Sequence, residues 1–183
     1  MKKVLLLIIT VMIFGGCATL TPEQKAEKEA KKAAVNETSE ALFLEAKQAL
    51  EKRDFVVEAE RINFKRGRVI YVTPVTNFVS LKDGKAIVQL AFNGRGSGPN
   101  GLGGITFEGR ASNMKMETDK RGNVTFSMVV QGVNISANVI LSMPRGTDKC
   151  SVTVSSNFSS NRIDFSGMLY PSDQSNVFKG RSL

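Results

Sequence analysis

Any chemistry in this chain is done without histidine. Its 183 residues include no His and no Trp. That excludes a Ser-His-Asp triad, a Cys-His dyad, His-ligated zinc and an imidazole pH switch. The carboxylates Glu58, Glu60, Glu108, Asp119 and Asp164 are scattered, and a glycosidase needs two of them facing each other across a cleft. No Gly-X-Ser-X-Gly element precedes a helix, and no cluster has metal-ligand spacing. Carbohydrate sites often offer a Trp or Tyr platform, and with no Trp and only Tyr71 and Tyr170 the chain is poor in them. The residues argue against an enzyme and call for no cofactor and no metal.

The most unusual stretch is residues 94–109, which hold seven of the 16 glycines. A phosphate-cradling loop needs a preceding strand, a following helix and a closing Lys-Ser or Lys-Thr. Here a strand follows and the lysine is missing, so a P-loop is rejected. Two readings stay open. In the preferred one the glycines give a tightly turning connection between long strands and ease barrel curvature. In the other, bare amides at Gly101, Gly103 and Gly104, with Arg95, Asn100 and Arg110, face a polar or anionic small ligand.

The two cysteines have different fates. Residues 1–16 read as an export signal: Lys2 and Lys3 precede an apolar run over residues 4–14, too short to span a bilayer. Gly15-Gly16-Cys17 resembles the lipobox of bacterial lipoproteins, with Phe14 where that family usually has Leu. The resemblance implies that Cys17 takes a diacylglyceryl group, that the signal is cut before it, and that the new N-terminus is acylated. Cys150 then has no partner for an intramolecular disulfide. It lies in phase with Val152 and Val154, on the apolar face of an alternating strand. It is expected to be a buried, inert side chain.

Those residues need elements to position them. Thr21-Pro22-Glu23-Gln24 is a helix start with a capping box. The Lys/Glu/Ala-rich stretch that follows has no apolar face, so residues 17–38 read as a lipidated N-terminus and solvated helical spacer. Asn36 to Ser39 interrupts that pattern with capping-type residues. An amphipathic helix is expected over residues 39–53, with Leu42, Ala46, Ala49 and Leu50 on one face and Phe43 beside them. It should pack across a barrel end or sheet edge. After Asp54 the period changes from 3.6 to 2.

Val124, Phe126, Met128 and Val130 alternate with Thr125, Ser127 and Gln131, and Ala137, Val139, Leu141 and Met143 with Ser136, Asn138 and Ser142. Turn signals such as Asp83-Gly84, Arg121-Gly122 and Arg145-Gly146 divide about nine strands. The expected fold is mainly β: an antiparallel meander closing into a small up-and-down barrel of lipocalin-like size. A two-sheet sandwich is the second choice. Residues 39–183 form one domain, helix plus β domain.

Removing Lys2 and Lys3 with the signal takes the formal charge from +8 to +6. Much of that charge sits at turns: Lys65-Arg66-Gly67-Arg68, Lys120-Arg121 and Arg145. Such turns are ordinarily solvated ends, although anionic headgroups or cell-wall polymers would also suit them. The aromatics lie on apolar strand phases, so nucleic acid is not a partner.

Several segments together resemble a known family. They are Phe55-Val56-Val57-Glu58-Ala59-Glu60-Arg61, Thr76-Asn77-Phe78-Val79-Ser80-Leu81 and Gly98-Pro99-Asn100-Gly101-Leu102-Gly103-Gly104-Ile105-Thr106. Gln131-Gly132 with Ile135-Ser136-Ala137, and Val177-Phe178-Lys179-Gly180-Arg181-Ser182, complete the set. From about residue 42 onward the chain resembles the bacterial lipoprotein family catalogued as domain of unknown function 4251. The resemblance implies a single-domain, cell-envelope lipoprotein of antiparallel β architecture, and it transfers no catalytic residue.

The expectation is therefore a non-enzymatic binding or structural module held to a membrane by palmitate-type acyl chains. It would sit in the outer membrane facing the periplasm, with surface exposure as the alternative, and its partner would be an envelope protein or a polar or anionic small ligand. The competing class is a small His-free periplasmic hydrolase using carboxylates or a Ser-Lys pair.

Overall fold

The computed structural model describes residues 21–64, 67–91, 102, 104–133, 135–158 and 162–182. The chain divides into two units between Asn36 and Glu37. Helix α1 (Pro22–Lys52) runs through both. Its start is the expected capping box: the Gln24 N–H donates to Thr21 Oγ1 at 3.3 Å, and the Thr21 N–H to Gln24 Oε1 at 3.1 Å. Residues 22–36 are solvent-exposed throughout.

The interruption expected at Asn36–Ser39 does not occur, because the helix continues through it. Asn, Thr and Ser each cost less than about 0.7 kcal/mol against Ala inside a helix, too little to break a propagating one. The face buried in the second unit is Phe43, Ala46, Ala49 and Leu50. Leu42, expected on that face, is instead 40% exposed. The bulkier Phe43, with more apolar surface to remove from water, takes the core-facing position. The helix ends with Arg53 at φ 56. The Arg53 N–H donates to the Leu50 carbonyl and the Asp54 N–H to that of Ala49, both at 3.1 Å. This is a Schellman-type stop that sends the chain directly into the first strand.

Nine strands follow: β1 (Phe55–Asn63), β2 (Val69–Tyr71), β3 (Phe78–Lys82), β4 (Lys85–Ala91), β5 (Gly104–Thr118), β6 (Val124–Gln131), β7 (Ser136–Met143), β8 (Lys149–Ser156) and β9 (Arg162–Pro171). β3 to β9 form an antiparallel meander in sequence order, and β1 pairs with both β3 and β9. That closes an eight-stranded barrel, with β2 as an extra strand on the far half of β1. The barrel, not the sandwich, is therefore the fold. Asp83 at φ 51 and Gly84 at φ 74 form the hairpin turn their sequence predicts.

The inward phases fill the barrel in layers. Leu169, Val57, Val79, Val88 and Phe107 stand opposite one another on successive strands. Phe126, Leu141, Val152, Phe165 and Ile62 form another layer. All are buried, in one apolar cluster that also takes in the four helix residues. Phe55 meets Phe126 edge-to-face at 5.4 Å between ring centroids. The outward phase is mostly polar, with Ser136, Asn138 and Ser142 on β7 and Ser151, Thr153 and Ser155 on β8, and with Ile105 and Ile140 as exposed apolar exceptions. That polarity is the reverse of a membrane-spanning barrel, whose apolar band faces outward. Among the described residues, no helix is long and apolar enough to cross a membrane.

One outward patch is not solvated. Phe78 and Gln89 face outward yet are 1% and 0% exposed. A strap, residues 175–182, lies over them. Gln89 Nε2 donates to the Phe178 carbonyl at 2.7 Å and the Thr76 carbonyl at 3.1 Å. Its Oε1 accepts from the Gly180 N–H at 2.7 Å and from Thr106 Oγ1 at 2.9 Å. The amide thereby uses its full capacity of two donated and two accepted bonds. Ser175 Oγ donates to Glu58 Oε1 at 2.7 Å. Lys179 pairs with Glu108, which also meets Lys85 at 3.3 Å.

Gln89→Ala strands several buried partners. Urea unfolding should show a loss of about 3 kcal/mol at unchanged m-value, because each buried polar group left unpaired costs roughly 1–3 kcal/mol. The Glu108 carboxyl is held below its ordinary 4.5, first by the Lys179 ammonium, against partial burial, and then by Lys85. With the folded value depressed, this pairing is present above pH 4.5 and lost as pH falls through the folded value. The Lys179 and Gly180 amide resonances should therefore titrate with a midpoint below 4.5, and Glu108→Gln should abolish that titration. Cys150 is 3% exposed, and burial, reinforced by the Asp148 carboxylate, pushes its thiol up. A thiol reagent should label it only at the rate of unfolding; rapid labelling of the native protein would contradict its burial.

Candidate functional site

The sequence directs attention first to the glycine-rich stretch. Arg95, Asn100, Gly101 and Gly103 lie outside the described residues, as does Cys17. Gly104 opens β5 opposite Ala91, where an added Cβ would come within 1.8 Å of the Leu90 carbonyl oxygen. There the glycine serves close strand approach. Arg110 is exposed on β5, flanked across the strands by Lys85 and Gln131. The basic turns are split: Lys120, Arg121 and Arg145 are exposed at the β5–β6 and β7–β8 turns, while Arg68 sits over the Phe64 ring at 4.6 Å beside the β1–β2 turn.

The carboxylates do not converge as a glycosidase pair. Glu58 and Glu108 are tied to the strap. Asp119 accepts from the Arg121 and Asn123 backbones and from Asn123 Nδ2, which lowers its pKa and closes the β5–β6 turn. Asp164 accepts from Thr153 and Arg162. A notch of about 240 Å³ gathers Glu45, Asp54 and Asp173 beside Lys52, and Gln174 donates to Glu45 across it. Among the described residues no cluster could hold a metal ion.

The larger concavity is elsewhere, on the outer wall where β8, β9, β1 and β2 run side by side. It is a groove of about 690 Å³. Its origin is a bulge in β1. The register with β9 steps from Ala59–Gly167 to Arg61–Ser166, leaving Glu60 as the extra residue. Bulges re-aim side chains, and here Glu60 and Arg61 both line the groove. Beyond the bulge β1 exchanges β3 for β2 on its other edge. The chain returning from β2 through Val72 and Pro74 forms a wall of the groove.

That wall is fixed by Asn77, which is 1% exposed. Its Nδ2 donates to the Thr73 carbonyl at 3.0 Å, and its Oδ1 accepts from the Ala91 N–H at 2.8 Å. Its backbone carbonyl accepts from the Ala59 N–H at 2.8 Å, directly before the bulge.

Across the groove floor the side chains form a row. Tyr71 stands opposite Arg61, Arg61 opposite Ser166, Ser166 opposite Ser151, and Ser151 opposite Ser142. Arg61 Nε donates to Ser166 Oγ at 3.1 Å. Lys149 lines the groove beside Ser151, and Pro144 adds an apolar flank. Tyr71 is 83% exposed. The arrangement offers two cations against one carboxylate, two hydroxyls on the floor and one aromatic face. It suits binding of a polar, partly anionic molecule.

Sequence reasoning missed this groove. One signal was available: Glu60-Arg61 are consecutive polar residues before the inward Ile62, a break in alternation that marks a bulge. The pairing of Arg61 with a serine 105 residues away has no local signal.

The geometry can now be set beside known proteins. The model of the family described as Domain of unknown function (DUF4251) matches residues 37–169. A crystal structure of a DUF4251 family protein from Bacteroides eggerthii is similar at a TM-score of 0.69 and 42% identity, covering 81% of this chain and 99% of that one. No curated protein matches. The family model reaches from the helix face that packs on the barrel to Leu169 near the end of β9, and the chain belongs to the DUF4251 family.

Proposed function

We propose that this protein is a lipid-anchored, non-enzymatic binding module of the cell envelope. Acyl chains on Cys17 hold it to a membrane, by default the outer membrane on its periplasmic side. The exposed Lys/Glu/Ala helix serves as the spacer, and the outer-wall groove is the ligand site. Two or more acyl chains make such anchoring stable where one does not.

The observation that carries the binding part is where polarity lies. The inward phases of the barrel carry apolar side chains, while the cations and hydroxyls meet in an open groove outside. An open groove suits reversible binding better than chemistry, which gains from excluding water.

The hydrolase alternative has one observation in its favour: Lys149, Ser151 and Ser166 share the groove. Lys149 is solvent-exposed, whereas lysine bases work from desolvated sites. Ser166 already accepts from Arg61.

Metabolic labelling with radioactive palmitate tests the anchor. Wild type should be labelled and sediment with membranes, while Cys17→Ala should carry no label. Label persisting in that variant would sink the lipid assignment.

A further inference from the structure

We propose that the outer-wall groove recognises an acidic saccharide, a pyranose unit or chain bearing a carboxylate. This rests on the groove being the ligand site, and it names the ligand's chemistry. Size comes first: about 690 Å³ falls in the range of small-molecule sites, roughly 300–1,000 Å³, and is far more than an inorganic oxyanion fills.

The lining is amphipathic in the way a sugar is. Val72, Pro74 and Pro144 present apolar flanks, against which ring C–H groups pack, while Ser151 and Ser166 present hydroxyls between them. Tyr71, 83% exposed at one end of the serine row, offers a ring face for stacking. Ser151 on β8 and Ser166 on β9 stand opposite each other at the strand spacing of about 4.8 Å, close to the length of one sugar residue in an extended glycan.

Charge selects the acidic members. Among the described residues neither Arg61 nor Lys149 forms an ion pair, unlike Arg162, which is matched to Asp164. A guanidinium takes a carboxylate with charge-assisted, often bidentate hydrogen bonds. Glu60 on the rim disfavours a polyanion such as nucleic acid while leaving an excess of positive charge for one carboxylate. Among the described residues, a peptide adding as an extra strand would find at this wall only the three-residue β2 edge, because β1, β8 and β9 are paired along both edges at the groove.

The test uses the full chain carrying Cys17→Ala and labelled with nitrogen-15, titrated with four probes and followed by amide shifts. The probes are an oligogalacturonate, a muramic-acid-containing disaccharide, a neutral galactose oligomer and inorganic phosphate. Saturable shifts centred on Arg61, Tyr71, Lys149, Ser151 and Ser166 with either acidic sugar, at least tenfold tighter than with the neutral oligomer, are expected. Whichever acidic sugar binds tighter identifies the source, free polysaccharide or cell wall.

Tyr71→Ala and Arg61→Gln should each weaken that binding about tenfold, the scale of one lost aromatic or charge-assisted contact, with resonances of the barrel interior unmoved. Groove shifts with phosphate alone, or equal affinity for the neutral sugar, would overturn the acidic-saccharide assignment while the groove stands as a binding site. No groove shift with any probe would overturn both.

Discussion

The structure depends on how strand β1 is shared. One of its edges pairs with β9 along nearly its whole length, and this contact turns an open meander into a barrel. Its other edge is divided between β3 and β2. The bulge at Glu60 falls where β1 changes partner on that edge, after Glu58 opposite β3 and before Arg61 opposite β2. The groove is the geometric consequence. Where β1 leaves β3 and takes up β2, the returning chain stands away from the barrel wall, and Asn77 holds it in place.

The same strand separates the outer surface into two regimes. On one side the outward row Glu58, Phe78, Gln89, Thr106 is roofed by the strap and behaves as a small second core. On the other side the outward serines of β7, β8 and β9 remain open. Gln89 decides the first regime, because a buried amide with all its bonding capacity used fixes the strap's register as well as its position. The segments that carried the family resemblance meet here: Thr76 and Phe178 both accept from Gln89 Nε2, and Glu58 accepts from Ser175. Much of that resemblance therefore records how this fold is built.

The barrel was legible because its signals are local. Alternation places Val124, Phe126, Met128 and Val130 on β6 and Ala137, Val139, Leu141 and Met143 on β7 inward, and all eight are buried. The same phase argument placed Cys150 correctly. Asp83-Gly84 encodes its own turn, and Thr21 and Gln24 encode their own cap.

The misses share a physical reason, which is that nothing local reports them. Gln89 looks like any outward polar residue between Val88 and Leu90, and only the strap, 89 residues away at Phe178, buries it. Helix continuity through Asn36 was misjudged because capping residues are permissive of a helix interior as well as suited to its ends. Phe43 rather than Leu42 is on the packed face, an outcome decided by contact with strands distant in the chain.

Closure by β1 and β9 also has a consequence in time. Every pairing from β3 to β9 joins strands adjacent in the chain, so most of the sheet can zip up as soon as each hairpin exists. The one contact that seals it joins residues such as Arg61 and Ser166, 105 positions apart, and a contact of that span adds a large loop-closure term to the folding barrier. Until β9 arrives, β1 and β8 each present a bare edge, and the Gln89 site has no strap to hold. A chain still emerging from the ribosome is therefore kept open until close to its last strand. The topology that closes the eight-stranded barrel on itself, leaving β2 with an open edge, also delays the moment at which the barrel is sealed.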